Sequence, residues 1–186
     1  MNILEQIAAQ TRERIEAEKR QTPTEELIRQ IEAMEQKKSK QSFYEALKKP
    51  GMSYICEVKK ASPSKGLIAS DFPYLDIARE YEAAGASAIS CLTEPFRFLG
   101  KDAYLQEIAA QVEIPVLRKD FTVDEYMIYQ ARLLGASAVL LICAILDDAQ
   151  LRAYRELAES LGMDALVEAH DETEVGRAAV SGARII

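Results

Sequence analysis

Beyond about residue 50 the chain switches repeatedly between two hydrophobic periods. Short, largely apolar runs at 53–59, 88–93, 115–119, 138–143, 164–168 and 183–186 read as β-strands. Between them, near 74–84, 101–111, 124–134, 148–161 and 172–181, apolar residues return every three or four positions, as on one face of a helix. These stretches open on polar or acidic residues, with Asp71, Asp124, Asp147 and Asp171 as the expected caps. They close on a glycine just before the next strand, visible in GASAI at Gly85, GASAV at Gly135, GMDAL at Gly162 and GARII at Gly182. Such alternation predicts an α/β fold of parallel strands joined by right-handed helical crossovers.

The first fifty residues follow a different pattern. Residues 3–20 read as one amphipathic helix. Thr22-Pro23-Thr24-Glu25 reads as a capping box with proline at the first helical position, opening a second helix through about Lys37. Ser42 and Glu45 repeat the box before a short helix that ends at Pro50-Gly51. The expected organisation is a helical extension over 1–50 and a βα repeat over 51–186, all one domain, which suits a chain of 186 residues.

Composition narrows the function classes. With 48% hydrophobic and 28% charged residues the chain can bury a substantial core. A formal net charge of -7 argues against nucleic acid or an anionic membrane as main partner and favours small-molecule chemistry. The longest apolar run, Ala138 to Leu146, is too short to span a bilayer, and the leading segment is an amphipathic helix rather than a secretion signal. The expected location is the cytoplasm. Cys56, Cys91 and Cys143 lack metal-type spacing and fall inside strand candidates, which predicts buried free thiols. With His170 as the single histidine, no protein metal site is expected.

Periodicity alone leaves an open doubly wound sheet and a (β/α)8 barrel in competition. The strand ends separate them. The first strand runs into CEVKKASPSKG, placing Glu57, Lys59 and Lys60 where a buried strand stays apolar; Glu94, Lys119 and Glu168 follow at later strand ends. Burying such charges without partners or water costs several kcal/mol, roughly, so these ends face a wet site. In an open sheet, the first and fifth strands lie up to ~20 Å apart, too far to serve one reacting centre. A barrel brings them together. No G-x-G-x-x-G follows the first strand, which further weakens a dinucleotide-binding reading.

CEVKKASPSKG, CLTEPFRFLG, PVLRKDFTVDEYMIYQARLLGASAVLLICAIL and ALVEAHDETE together resemble the indole-3-glycerol phosphate synthase family, barrel lyases of tryptophan biosynthesis. The helical leader is similar to that family's extra N-terminal helices. The resemblance implies a TIM (β/α)8 barrel, here partial: about five βα units and the start of strand six. The chain stops at GARII, ahead of the family's Asn-Arg and Glu-Ser-Gly segments and its last two βα units, whereas a complete barrel takes about 250 residues. A fragment is therefore expected, nearly silent as a catalyst by itself and self-associating through open sheet edges.

The implied reaction closes the ring of 1-(2-carboxyphenylamino)-1-deoxyribulose 5-phosphate with loss of carbon dioxide and water. It needs an acid at the carbonyl oxygen, positive charge for the carboxylate, a base for rearomatisation and an acid for dehydration, with no cofactor or metal. The resemblance assigns Lys119 as general acid and Glu168 as its carboxylate partner or base. Lys59 holds the substrate carboxylate and shares in proton transfer, and Glu57 orients Lys59 from the same strand face. Ser62 is expected to offer its hydroxyl to the phosphate, and Phe98, Phe121 and Leu140 to hold the anthranilate ring. Glu94 is a candidate pairing residue behind the site and His170 a rim residue. Two other readings stay open: another phosphate-binding barrel, such as an isomerase or a Schiff-base aldolase with Lys119 or Lys59 as nucleophile, and a non-catalytic partial barrel.

Overall fold

The structure is a computed structural model that describes residues 2–34 and 42–186. Helices α1 (Ile3–Gln21), α2 (Thr24–Ala33) and α3 (Phe43–Leu47) precede strand β1 (Ile55–Val58). A small hairpin, β2 (Ala61–Ser62) and β3 (Gly66–Leu67), follows, then α4 (Tyr74–Ala83), β4 (Ala88–Leu92), α5 (Asp102–Gln111) and β5 (Val116–Lys119). The chain continues through α6 (Tyr126–Leu133), β6 (Ala138–Ile142), α7 (Asp148–Ser160), β7 (Asp164–Glu168) and α8 (Glu172–Val180). Expected and observed βα elements agree to within a residue or two along this whole stretch. The last strand candidate appears only as a parallel bridge from Ile185 to Leu166.

These elements form two compact units, Lys38–Asp120 with Leu134–Ala138, and Met1–Lys37 with Phe121–Leu133 and Val139–Ile186. In the first, β1, β4 and β5 pair in parallel in that order. Glu57 stands beside Ser90, which stands beside Leu117, so successive residues alternate between the same two faces across all three strands. One face carries Ile89, Cys91 and Val116, each fully buried, as expected of strands covered by helices. The glycines that end α4, α7 and α8 share a left-handed backbone, with φ of 90° at Gly85, 78° at Gly162 and 87° at Gly182; this stops each helix at little steric cost.

A buried ionic network ties the ends of β4 and β5. Arg118, 2% exposed, donates from Nε to Thr93 Oγ1 at 3.2 Å and from Nη2 to Asp102 Oδ1 at 3.0 Å. Thr93 passes its own hydroxyl proton toward Asp120 Oδ2 at 2.8 Å, and Arg118 lies 3.8 Å from that same oxygen. The Thr93 N–H also donates to the Lys119 carbonyl at 3.1 Å. A guanidinium is kept out of water here because its donors meet acceptors in fixed directions.

In the other unit, α1 buries Ile7, Ala8, Thr11 and Ile15, a stripe with helical spacing. Ala8 and Ile15 share a core with Leu27, Val123, Tyr126 and Met127. Polar bonds frame this contact: Lys19 Nζ meets Asp124 Oδ2 at 2.6 Å, Gln130 donates to Glu18 at 2.7 Å, and the Tyr126 hydroxyl donates to the Thr22 carbonyl at 3.0 Å. In this unit β6 and β7 are neighbours in the strand order.

Several local expectations are corrected. The Thr22 capping box does not form: Pro23 occupies the N-cap of α2 without a side-chain bond, because Thr22 is engaged as the extended C-cap of α1. That helix ends at Ala33, and residues 35–37 lie outside the described residues. Asp71 caps nothing, since Pro73 stands at the N-cap of α4. Asp147 and Asp171 do cap, accepting from the N–H groups of Gln150 and Glu174, each at 2.8 Å. Asp124 accepts from the Tyr126 N–H at 2.9 Å. Cys143 starts a 3-10 turn rather than ending a strand, its carbonyl held by Arg177 at 2.9 Å. Ser42 accepts from the Glu45 N–H at 3.3 Å, one of the two bonds of the second box.

Two stability predictions follow from these contacts. Asp124→Ala removes both the ion pair to Lys19 and the acceptor for the Tyr126 N–H, and should cost about 1–2 kcal/mol in urea unfolding; an unchanged midpoint would mean that the apolar stripe alone holds α1. Arg118→Met strips Asp120 of its buried cation and should cost about 3–5 kcal/mol, with part of the loss recovered when Asp120→Ala is added. Additive losses in that cycle would rule out coupling between the two.

Candidate active site

The register of β1, β4 and β5 decides which charges share a face. Leu92 stands beside Lys119, and continuing the pairing one residue past Val58 sets Lys59 on the other side of Leu92. Lys59, Leu92 and Lys119 thus form a row across three strands, with the lysine backbones ~10 Å apart at the strand spacing. Glu57 lies on the same face two residues earlier, and its Oε1 accepts from Lys59 Nζ. Both side chains are about one-third exposed. Arg118 and Asp120, one position to either side of Lys119, are drawn into the buried network, so alternation turns Lys119 to the opposite face. Two lysines and the Glu57 carboxylate thus share this face of the three strands.

Ser62 is nearly buried in the β2–β3 hairpin, where it accepts from the Lys65 N–H at 3.2 Å and lies 3.5 Å from Ser64 Oγ. That hairpin was not expected; its turn needs the left-handed Gly66, φ 63°. A hydroxyl that accepts locally still has a proton to donate. Phe98, half-buried, sits in the loop between β4 and α5. Glu94 opens this loop and is wholly buried. Its carboxylate accepts from the N–H groups of Phe96, Arg97 and Phe98 at 2.9, 2.7 and 2.9 Å. The partners of this candidate pairing residue are thus backbone N–H groups of its own loop. Nothing in a linear reading of TEPFRF signals that the acid folds back over its own loop.

In the second unit Phe121 follows β5 and is half-buried, Leu140 is buried in β6, and Glu168 is the last residue of β7. Glu168 Oε1 lies 3.3 Å from Nε2 of His170, which is 60% exposed. His170 Nδ1 is 3.7 Å from Glu174 Oε2. Burial, reinforced by Asp102, pushes the Cys91 thiol up to about 12, and burial also raises Cys143, so neither is a ready nucleophile; Cys56, expected to be buried with them, is only half-buried. A groove of about 300 Å³ between α7 and α8, lined by Asp148, Arg152, Arg177 and Val180 among others, contains none of the candidate residues.

Among the described residues no three histidine, cysteine or acidic side chains gather as a metal site, and no helix is long and apolar enough to cross a membrane. Residues 4–186 match the family model described as Indole-3-glycerol phosphate synthase. The chain is 52% identical to the indole-3-glycerol phosphate synthase of Ruminiclostridium cellulolyticum over 99% of its own length and 70% of that protein. It is 54% identical to the enzymes of the same name from Endomicrobium trichonymphae and Lacticaseibacillus paracasei, covering 99% of this chain and 71% and 70% of theirs. With lysines at the ends of β1 and β5 on one face, β4 between them, and identity of this extent along its whole length, the chain belongs to the indole-3-glycerol phosphate synthase family, whose fold is the (β/α)8 barrel expected from the strand ends.

Proposed function

We propose that this protein acts in tryptophan biosynthesis by converting 1-(2-carboxyphenylamino)-1-deoxyribulose 5-phosphate to indole-3-glycerol phosphate, in the cytoplasm and without metal or cofactor. Membership of the family supports the activity. The observation that carries the residue roles is the row formed by Lys59 and Lys119 on either side of Leu92, with Glu57 bonded to Lys59.

Lys119 protonates the substrate carbonyl oxygen as the ring carbon attacks the carbonyl carbon, so that one C–C bond forms and the carbonyl becomes a hydroxyl. Lys59 neutralises the substrate carboxylate until the carbon-carboxylate bond breaks and its electron pair restores the aromatic ring. Dehydration then removes that hydroxyl as water, with an ammonium as acid and Glu168 as base. Glu57 holds Lys59 in place, Ser62 donates to the phosphate, and Phe98, Phe121 and Leu140 flank the aryl ring. The N-terminal helices belong to the same folding domain as the βα units in this reading.

The chain contains no tryptophan, so the indole of the product can be followed by fluorescence against tyrosine alone. Turnover is measured for residues 1–186 and for a fusion supplying the part of the Endomicrobium relative outside the match. Excess chelator should leave the active form unchanged, and Lys119→Ala should lower kcat by ~10²-fold or more. Near-normal turnover by Lys119→Ala would remove Lys119 as the acid, and trapping of substrate on a lysine by borohydride would favour Schiff-base chemistry instead.

We also propose that residues 1–186 self-associate. β1 stands at one end of the strand order with Tyr54 and Ile55 exposed beside it, and an uncovered strand edge pairs readily with another chain. Sedimentation should report dimers or larger species; a monomer at all concentrations would dismiss the edge as an interface.

A further inference from the structure

The loop from Glu94 to Gly100 is built against ordinary preferences in three places. Its first residue is a carboxylate with no exposed surface, satisfied by backbone N–H groups of the loop itself. Leu99 adopts φ 52°, a left-handed conformation that a leucine rarely enters. Gly100 closes the loop by donating its N–H to the Glu94 carbonyl at 2.8 Å, and it passes so near β4 that a Cβ there would lie 2.5 Å from the Leu92 carbonyl oxygen. These features hold a surface loop rigid while Phe96 and Leu99 stay largely exposed and Phe98 half-buried. Strain retained at a loop carrying apolar side chains marks a preorganised binding element, because folding alone has no need of it.

The loop also leaves the sheet at a particular point. It follows Leu92, the residue between Lys59 and Lys119 in the row described above. We infer that Glu94 is a positioning residue: by gathering the N–H groups of Phe96, Arg97 and Phe98 it presets Phe98 as the wall against the aryl ring of the substrate. The inference rests on the proposed role of Phe98 in ring binding. The carboxylate is suited to this because a charged acceptor binds several converging N–H groups more strongly than a neutral one. An amide in its place turns one acceptor into a donor facing donors.

The test uses the 186-residue chain and calorimetric Kd values for two probes: indole-3-glycerol phosphate, which carries the aromatic ring, and ribulose 5-phosphate, which does not. In Glu94→Gln, hydrogen exchange at Phe96, Arg97 and Phe98 should accelerate. Its Kd for the aromatic probe should rise about tenfold, the lower range for a lost apolar pocket contact, with that for ribulose 5-phosphate unchanged. Phe98→Ala should show the same selective loss without faster exchange. Adding Leu99→Asn, a residue that tolerates the left-handed region better, should restore part of the affinity of Glu94→Gln. If Glu94→Gln does not fold, Glu94→Asp carries the same expectation, with a smaller shift.

Selective weakening in both single variants supports the inference. Should Phe98→Ala weaken the aromatic probe while the Glu94 variant does not, Glu94 has no positioning role although Phe98 still binds the ring. If Phe98→Ala leaves the aromatic Kd unchanged, the role of Phe98 itself is wrong and the inference falls with it. Equal weakening toward both probes would mean general loss of structure and would also overturn it.

Discussion

The buried guanidinium of Arg118 is the interaction on which the proposed chemistry of β5 depends. It is surrounded by Thr93, Asp102 and Asp120, all within the unit that holds β1, β4 and β5. A cation so deeply withdrawn from water is tolerable only where its partners are fixed, so the network sets the relative position of the ends of β4 and β5. Because a strand alternates its side chains, burying Arg118 and Asp120 on one face places Lys119 on the other. The orientation of Lys119, the proposed acid, is thus enforced by neighbours buried on the opposite face.

The same logic extends sideways through the parallel register. Lys59 lies just beyond the last paired residue of β1, yet its alignment with Leu92 and Lys119 follows from pairs formed earlier in the strands. Glu57, on the same face, partly neutralises this end of the sheet. An ammonium bonded to a carboxylate is fixed in direction, which suits a group that receives the carboxylate of a substrate.

The N-terminal helices illustrate how a segment with no strand contributes to a βα protein. The buried stripe of α1 reaches Val123, Tyr126 and Met127, the residues immediately before and within the first turn of α6. Lys19, Glu18 and Thr22 then bond to that same region. Helix α1 therefore fixes the start of α6, the helix reached from the carboxyl end of β5.

What the sequence determined by itself was everything governed by short-range periodicity. The alternation of strands and helices, the caps at Asp147 and Asp171, the glycine stops and the charges at the ends of β1, β5 and β7 were all legible, because each depends on residues within a few positions. Tertiary structure decided the rest. Thr22 reads equally well as the start of one helix or the end of another, and the C-cap of α1 claims it. Asp124 reads as a cap, and only packing brings Lys19 to it across more than a hundred residues. Nothing in the linear sequence marks Arg118 and Asp120, beside Lys119, as buried, and Glu94 reads only as a pairing residue with no partner named. Their burial, and hence their control over Lys119 and Phe98, arises from contacts with Thr93 and Asp102 and from a loop folding back on itself, which no local pattern encodes.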